Sequence, residues 1–449
     1  MGDTSWIKED EVVSAFELLR RITPEHELLQ LAPTGPAAVY TTLVTLWMVT
    51  LQRLVGGMSL SAAVKEVLEH ARCLFPDNKR VREGTLSERS GTFSEARQRL
   101  PLAAVELFAN RVCETLIERT PSWFGDRRAF LIDGTTITLP PTSELKRVYP
   151  PATNQHGESV WPVLMLLVAH ELQTGCALVP ELGAMYGPDN TSEAEQAARL
   201  APRIPPGSIV LSDAGFGIFY VARQMRQQGH EILFRLSASR FQSLVRKLTP
   251  CQESPGERTW QLCWQPSAKD RQSHPDLPQG AALDVWVHEV LLDNGEHLSL
   301  VTSLPWSAAQ AADAYARRYD VEHNIRDFKV TLRVETIRAK SEEMVRKELL
   351  CSIVAYNLLL EFRRKAAEVA RLPPRRLSFT QVWNTFEISL LRQPPAPPEE
   401  WHARYDRALA QAAKAKLPNR PDRSYPRRAH PRRPKSTKFM HSQPPPTTK

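Results

Sequence analysis

Cysteine is scarce in this chain, and no two cysteines stand at a spacing typical of a metal or redox site. The 449 residues include six, namely Cys73, Cys113, Cys176, Cys251, Cys263 and Cys351. The absence of any C-x-x-C pair argues against a zinc site or a thiol redox motif. A reduced compartment such as the cytoplasm is the simplest expectation for such a chain.

The short motifs of several large enzyme classes are also missing. The sequence contains no P-loop, G-x-G-x-x-G, H-E-x-x-H or G-x-S-x-G motif. This excludes the usual nucleotide-driven, dehydrogenase, zinc-protease and serine-hydrolase classes.

Long apolar runs are absent as well. The most apolar stretch, TTLVTLWMVTLQRLV, is shorter than the roughly 20 residues that span a bilayer and it contains Arg53. We therefore predict a buried helix there. The first residues, MGDTSWIKEDEVV, are acidic and polar, unlike a secretory signal.

Positive charge is concentrated towards the C-terminus. Residues 401–449 contain thirteen Lys and Arg against two Asp and Glu, a net +11, whereas the whole chain carries +8. Residues 1–400 therefore carry −3. The basic end fits either non-specific attraction to phosphates or a solubilising terminus. Its Pro- and Arg-rich composition predicts that residues 371–449 are largely disordered.

The remaining chain divides by its hydrophobic pattern. Residues 1–120 show helical spacing and form a candidate DNA-binding domain. Apolar strands then alternate with helices over 121–239 and again at 302–370, which predicts an α/β fold. Residues 240–301 are β-rich, with an Asn-Gly pair between apolar runs that is typical of a hairpin. We predict that this segment is an insertion in the α/β domain.

One helix near residue 92 has both a start signal and cations. Thr92-x-x-Glu95 is the pattern of a capping box, which predicts a helix beginning there. Arg97 and Arg99 follow in the same helix. They either contact phosphates or belong to a solvated face.

Two aspartates end apolar strands. Asp133 follows AFLI and Asp213 follows GSIVLS, and each has a glycine within two residues. Strand ends of an open α/β sheet are where functional sites assemble, and carboxylates are ligands for hard divalent cations. The alternative is that each Asp merely begins a turn.

A third acid stands among cations in the stretch YARRYDVEHNIRDFK, residues 315–329. A capping box at Ser307-x-x-Gln310 predicts a helix that runs to about Lys329. At 3.6 residues per turn, one stripe about 60° wide holds four residues, namely Tyr315, Arg318, Glu322 and Lys329.

The other charged residues of this helix lie off that stripe. Arg326 and Tyr319 flank it, whereas Asp320 and Asp327 fall on another face. Glu322 is therefore the acid that shares a face with the cations. Either this is an ordinary i,i+4 surface pair, or the cations hold phosphates beside a metal-binding carboxylate.

The spacing Y-x2-R-x3-E-x6-K, together with LIDGTTITLP, VLSDAGFG and AYNLLL, resembles the D-D-E transposases of bacterial insertion sequences, specifically the insertion sequence four family. The resemblance covers roughly residues 85–365. It includes a β-rich insertion between the second aspartate and the glutamate. One departure is Tyr319, where the family often has tryptophan.

The resemblance implies an RNase H-like catalytic domain. In it, Asp133, Asp213 and Glu322 would be catalytic and would hold two Mg²⁺ or Mn²⁺ ions. DNA contacts are implied for four residues, namely Tyr315, Arg318, Arg326 and Lys329.

The expected reaction is cleavage at transposon ends and joining of the 3′ ends to target DNA. The expected partners are double-stranded DNA, both terminal inverted repeats and target, and a second copy of the chain in a homodimer on DNA. We expect a cytoplasmic, nucleoid-associated protein.

Aromatic stacking on a flipped base is a further property of some family members. The candidates here are Trp260, Trp264, Trp286 and Trp306. Strand packing explains Trp260 and Trp286 equally well.

Two alternatives remain open for the function. One is an RNase H-like nuclease that cuts DNA without strand transfer. The other is a transposase-derived DNA-binding protein that is no longer catalytic. The presence of all three acids argues against the second alternative.

Overall fold

A nine-stranded mixed sheet lies at the centre of the computed structural model, which describes residues 14–71, 74–154 and 157–418. Including a separate two-stranded ribbon (β2 and β3), the strands are β1 (Ala129–Thr138), β2 (Thr153–Asn154), β3 (Gly157–Glu158), β4 (Val163–Glu171), β5 (Glu181–Ala184), β6 (Ile209–Ser212), β7 (Glu231–Arg235), β8 (Gln252–Ser254), β9 (Glu257–Trp264), β10 (Leu283–Leu291) and β11 (His297–Thr302).

In the described part of the chain before β1 the regular elements are helices, as predicted for the N-terminal region. They are α1 (Ala15–Arg20), α2 (Glu25–Leu31), α3 (Thr42–Leu54), α4 (Leu60–His70), α5 (Lys79–Arg82), α6 (Gly91–Arg99) and α7 (Leu102–Glu118). The apolar run predicted to be a buried helix is α3, and nearly all its residues are buried. Across the described residues, no helix is both long enough and apolar enough to cross a membrane.

The helices within and after the sheet cover its faces. They are α8 (Ser143–Val148), α9 (Glu193–Leu200), α10 (Phe219–Gln227), α11 (Ala238–Val245), α12 (Ala268–Ser273), α13 (Ala308–Ala316), α14 (Asp320–Arg326), α15 (Glu342–Ala370), α16 (Phe379–Phe386) and α17 (Pro398–Ala412). These elements belong to one contact unit that ends at Lys416. The predicted limits at 120, 240 and 302 stay predictions.

The sheet has the order β5-β4-β1-β6-β7-β11-β10-β9-β8. β4 is antiparallel to both of its neighbours, β5 and β1, whereas β6 and β7 run parallel to β1. The predicted hairpin is formed by β10 and β11, with Leu291 opposite His297. Because β11 pairs with β7, the β-rich segment continues the same sheet.

Two predictions near the helix ends need correction. The capping box at Thr92 is wrong, because α6 begins at Gly91 and its N-cap, Ser90, makes no side-chain cap bond. Thr92 lies inside the first turn, next to the fully buried Phe93. The capping box at Ser307 is confirmed, with Gln310 bonded back to it.

The C-terminal region is more ordered than predicted. Residues 371–418 include α16 and α17, and Trp401 of α17 is buried. Pro398 occupies the first turn of α17, where proline begins a helix rather than breaking one. The prolines misled the prediction for this part, and residues 419–449 lie outside the described residues.

Candidate active site

Two neighbouring parallel strands carry the two predicted aspartates. β1 and β6 pair with Leu131 opposite Leu211. Asp133 lies two residues after Leu131 on β1, and Asp213 lies two residues after Leu211, just past the end of β6. Adjacent strands lie about 4.8 Å apart, so the two acids stand side by side at the end of β6.

Both aspartates project towards the same face of the sheet. Side chains alternate between faces along a strand, and Leu131 and Leu211 belong to a small apolar cluster. That cluster also contains Tyr315 of α13 and Val321 of α14. The helix pair that carries the third predicted acid therefore covers the face on which the aspartates lie.

The carboxyl of Asp133 lies in an unfavourable place for a negative charge. Burial raises its pKa to about 6, and the charge of Asp213 acts in the same direction. The Arg318 guanidinium and the N–H of Gly134, which donates to Oδ1 at 2.9 Å, oppose this shift. Asp213 accepts a hydrogen bond of 2.8 Å from the N–H of Gly215.

A fourth carboxylate, which sequence reasoning missed, lies beside the aspartates. Glu193 is the first residue of α9, and its carboxylate covers the α carbon of Gly134. A Cβ at Gly134 would lie 2.0 Å from Oε1 of Glu193, so any larger residue there would displace the Glu193 carboxylate. Burial and the charge of Asp213 raise the pKa of Glu193. No spacing in the sequence connects residues sixty positions apart.

The helical segment that carries Glu322 changes its pitch twice. A 3₁₀ turn (Arg317–Tyr319) separates α13 from α14, and a π turn (Asp327–Thr331) follows. Such turns advance by other than 100° per residue, so the predicted single stripe is interrupted.

Arg318 joins the third acid to the sheet. Its guanidinium donates to Oε1 of Glu322 at 3.0 Å and lies 4.0 Å from Oδ2 of Asp133. The Arg318 side chain is 16% exposed, whereas that of Glu322 is 52% exposed. The acid of α14 therefore approaches Asp133 across one shared cation.

The two competing acids of this segment have other partners. Asp320 pairs with Arg317 at 3.0 Å and with Arg375 at 3.4 Å. Asp327 is buried, and burial raises its pKa. Neither contacts the aspartates of the sheet in the described ion pairs.

The residues predicted to contact phosphates lie in different surroundings. Lys329 donates to Oγ1 of Thr135 at 3.0 Å and to the carbonyl of Thr136 at 2.6 Å, just beyond Asp133 on β1. Arg326 is exposed and lies 3.9 Å from Asp327. Their contacts with DNA stay predictions.

Tyr315 is only 5% exposed and belongs to the small apolar cluster. Its hydroxyl is buried and has no hydrogen-bond partner among the described residues. Burial raises its pKa, opposed by the charges of Arg318 and Arg235. Because Tyr315 is buried, its side chain offers no exposed surface for the predicted phosphate contact in this structure.

The donor set fits a hard divalent cation. Asp133, Asp213 and Glu193 supply carboxylate oxygens, the ligands that Mg²⁺ prefers, and Arg318 is the cation recorded as pairing with Asp133. No three His, Cys, Asp or Glu side chains within the described parts of the chain are already gathered as ligands for one ion. Coordination by all three predicted acids would therefore require Glu322 to leave Arg318.

Other sequence candidates lie apart from this site. Trp260, Trp264 and Trp306 are buried by core aromatic contacts, whereas the overlooked Trp161 is 52% exposed. Arg97 does not belong to a solvated face, because it is buried and pairs with Glu348 at 2.7 Å.

Comparison with known proteins gives a family. A family model described as "Transposase DDE domain" matches residues 124–358, just over half of the 449 residues. The chain is 24% identical over 345 residues to the transposase InsG for insertion sequence element IS4 of Escherichia coli (strain K12), with 74% of each chain covered.

A solved structure is also similar, that of a piggyBac transposase synaptic complex with hairpin DNA. The TM-score is 0.45 at 9% identity, over 92% of this chain and 87% of that one, and a score this low carries no argument about the fold. The family match spans Asp133, Asp213 and Glu322. The chain belongs to the transposase DDE domain family, which confirms its resemblance to the D-D-E transposases of the insertion sequence four family.

Proposed function

We propose that this chain is an active DNA transposase that cleaves transposon ends and joins the freed 3′-hydroxyls to target DNA. The observation that carries the proposal is the nearness of Asp133 on β1 to Asp213 just after β6, with Glu322 linked to Asp133 through Arg318. Family membership makes DNA strand exchange the expected chemistry of such a carboxylate cluster.

The proposed catalytic core is RNase H-like. Its support is the order β5-β4-β1-β6-β7, in which three antiparallel strands are followed by two strands parallel to β1. Asp133 lies on β1 and Asp213 follows β6, so the fold places both at the centre of this five-strand unit. The strands β8 to β11 then extend one edge.

Each site residue has a proposed role. Asp133, Asp213 and Glu322 would hold two Mg²⁺ or Mn²⁺ ions, which when bound supply Lewis acidity for an in-line phosphoryl transfer. Arg318 would leave the carboxylates and hold a phosphate oxygen of the cleaved strand, since its guanidinium can bind either anion. Lys329 is hydrogen-bonded to Thr135 of β1, and from there its charge can face the cleaved DNA strand.

The proposed partners follow from the reaction. Terminal inverted repeats and target DNA are both double-stranded substrates, and two ends held together imply two copies of the chain on DNA. Arg326 and Lys329 supply positive charge on the segment that borders the acids. Tyr315 would act from beneath this surface, positioning Arg318.

The alternative is a nuclease that cuts DNA without strand transfer, since the same acids serve both reactions. Purified chain is incubated with labelled transposon-end DNA, target plasmid and Mg²⁺. A transposase first nicks the end and then produces joined products that depend on the 3′-hydroxyl. Nicking without joining would establish the nuclease, and no reaction with either Mg²⁺ or Mn²⁺ would indicate an inactive DNA-binding protein.

A further inference from the structure

A cavity of about 660 Å³ lies between the N-terminal helices and the segment that enters α15. Residues of α3, α4 and α6 form one side, and Thr336 to Glu348 form the other. The proposed active site does not include any of these residues.

Positive charge exceeds negative charge around this cavity. Four cations line it, namely Arg53, Arg97, Arg338 and Lys340, whereas Glu348 is the one carboxylate among the described lining residues. Arg338 and Lys340 are exposed, and no ion pair to a described residue is recorded for either side chain.

The two buried arginines of the cavity have more hydrogen-bond donors than there are acceptors around them. Arg53 and Arg97 are both more than nine-tenths buried, and both pair with the single carboxylate of Glu348. The Nε–H of each has no hydrogen-bond partner in the described part of the chain. Buried donors without acceptors are costly, so the surplus points to an anion as the missing ligand.

Two helix N-termini add to the positive potential. Ser59 is the N-cap of the 11-residue α4, Ser341 is the N-cap of the 29-residue α15, and both line the cavity. The side chain of Ser341 makes no cap hydrogen bond. The Ser59 hydroxyl accepts from the Ala62 N–H at 3.1 Å, and the Glu342 N–H donates to the Glu144 carboxylate at 2.9 Å, so each helix keeps only its other first-turn N–H groups for a ligand. Helix N-termini carry a partial positive charge, which favours bound phosphate.

The acids in the first turn of α15 do not cancel this charge within the cavity. Glu342 pairs with Arg346 at 3.5 Å and Glu343 pairs with Lys347 on the same helix. Neither glutamate lines the cavity.

We propose that this cavity binds a backbone phosphate of the DNA substrate, outside the catalytic acids. The inference rests on the proposed function, because it takes DNA to be the substrate. Lys329 and Arg338 are nine positions apart in the sequence, a span of at most about 32 Å. One duplex turn is about 34–36 Å long, so a single DNA molecule can reach both positions.

The test removes the two exposed cations. The double variant Arg338→Ala/Lys340→Ala is titrated with fluorescent duplex DNA at several salt concentrations. Each lost phosphate contact lowers the slope of log K against log salt by about 1, so loss of this one contact should lower the slope by about 1, with at least about a tenfold loss of affinity at low salt. The control Lys65→Ala/Lys269→Ala removes equal charge from exposed residues outside the cavity and should bind as wild type does.

Inorganic phosphate separates a DNA site from a free-anion site. A rise in the thermal midpoint with phosphate that the variant loses, together with the reduced DNA slope, supports the proposal. The same loss with unchanged DNA binding would overturn it, as would equal losses in the variant and the control. Cleavage of transposon-end DNA by the wild-type chain with Mg²⁺ tests the proposed function separately. If the wild-type chain cleaves but the double variant keeps the wild-type salt slope, only the cavity proposal is overturned.

Discussion

At the scale of single residues, a proton and a metal ion compete for the carboxyl oxygens of Asp133. Burial and Asp213 raise its pKa from 3.8 to about 6, so the folded protein binds the proton more tightly than the unfolded chain does. Ionisation therefore costs stability. The loss begins as pH rises above 3.8 and is complete above about 6.

This predicts the behaviour of Asp133→Asn without divalent metal. The variant should be more stable than wild type at pH 8 by about 2 kcal/mol, from roughly 1.4 kcal/mol per pKa unit with allowance for partial exposure. The difference should shrink towards pH 4. Urea unfolding in EDTA measures it, with the exposed Asp284→Asn as a control, and a gap that does not change with pH would contradict the account.

Which residues could be predicted depended on local pattern. Asp133 and Asp213 were recognisable because each ends an apolar strand, and Glu322 because of its spacing from Arg318. Glu193 was not recognisable, because its relation to Gly134 arises only when α9 packs across β1. A contact of this kind leaves no periodic trace in the sequence.

At the scale of elements, α15 is held against the N-terminal helices by buried charge. Glu348 receives Arg53 from α3 and Arg97 from α6. Periodicity predicted these helices, because their apolar stripes are regular. It could not predict that Arg97 turns inward, since the partner lies 251 residues away.

Removing this carboxylate should be costly. Glu348→Gln leaves two buried guanidiniums without a counter-charge, and such a change typically destabilises a protein by about 3–5 kcal/mol. Glu343→Gln on the same helix removes an exposed partner of Lys347 and should cost under about 1 kcal/mol. Equal free energies of unfolding for the two variants would show that the buried cations find other partners.

Changes of helical pitch and a high proline content explain the elements that the sequence predicted wrongly. The 3₁₀ and π turns around α14 change the pitch that an ideal helical wheel assumes, and such a wheel does not show that Tyr315 is buried while Lys329 contacts β1. In α17, Trp401 packs into the core although prolines precede it. The prediction of disorder rested on proline content and gave too little weight to apolar residues such as Trp401.

At the scale of the whole molecule, the account depends on the meeting of three distant segments. Asp213 and Glu322 are 109 positions apart, and a β-rich extension of the sheet lies between them. The order of the acids along the chain suggested the site. Only the register of the sheet and the packing of α13 and α14 over it place the acids on one face.

The most direct test of this claim compares two acids of one helix in cleavage of labelled transposon-end DNA with Mg²⁺. Glu322→Gln removes the acid that approaches Asp133, whereas Asp320→Asn alters an acid paired with Arg317 and Arg375. Loss of a residue that only orients a metal ligand costs about 10–100-fold in activity, so loss of the proposed ligand Glu322 should cost about 100-fold or more, and Asp320→Asn should cleave within a few-fold of wild type. Cleavage by Glu322→Gln at the wild-type rate would contradict the assignment of the site.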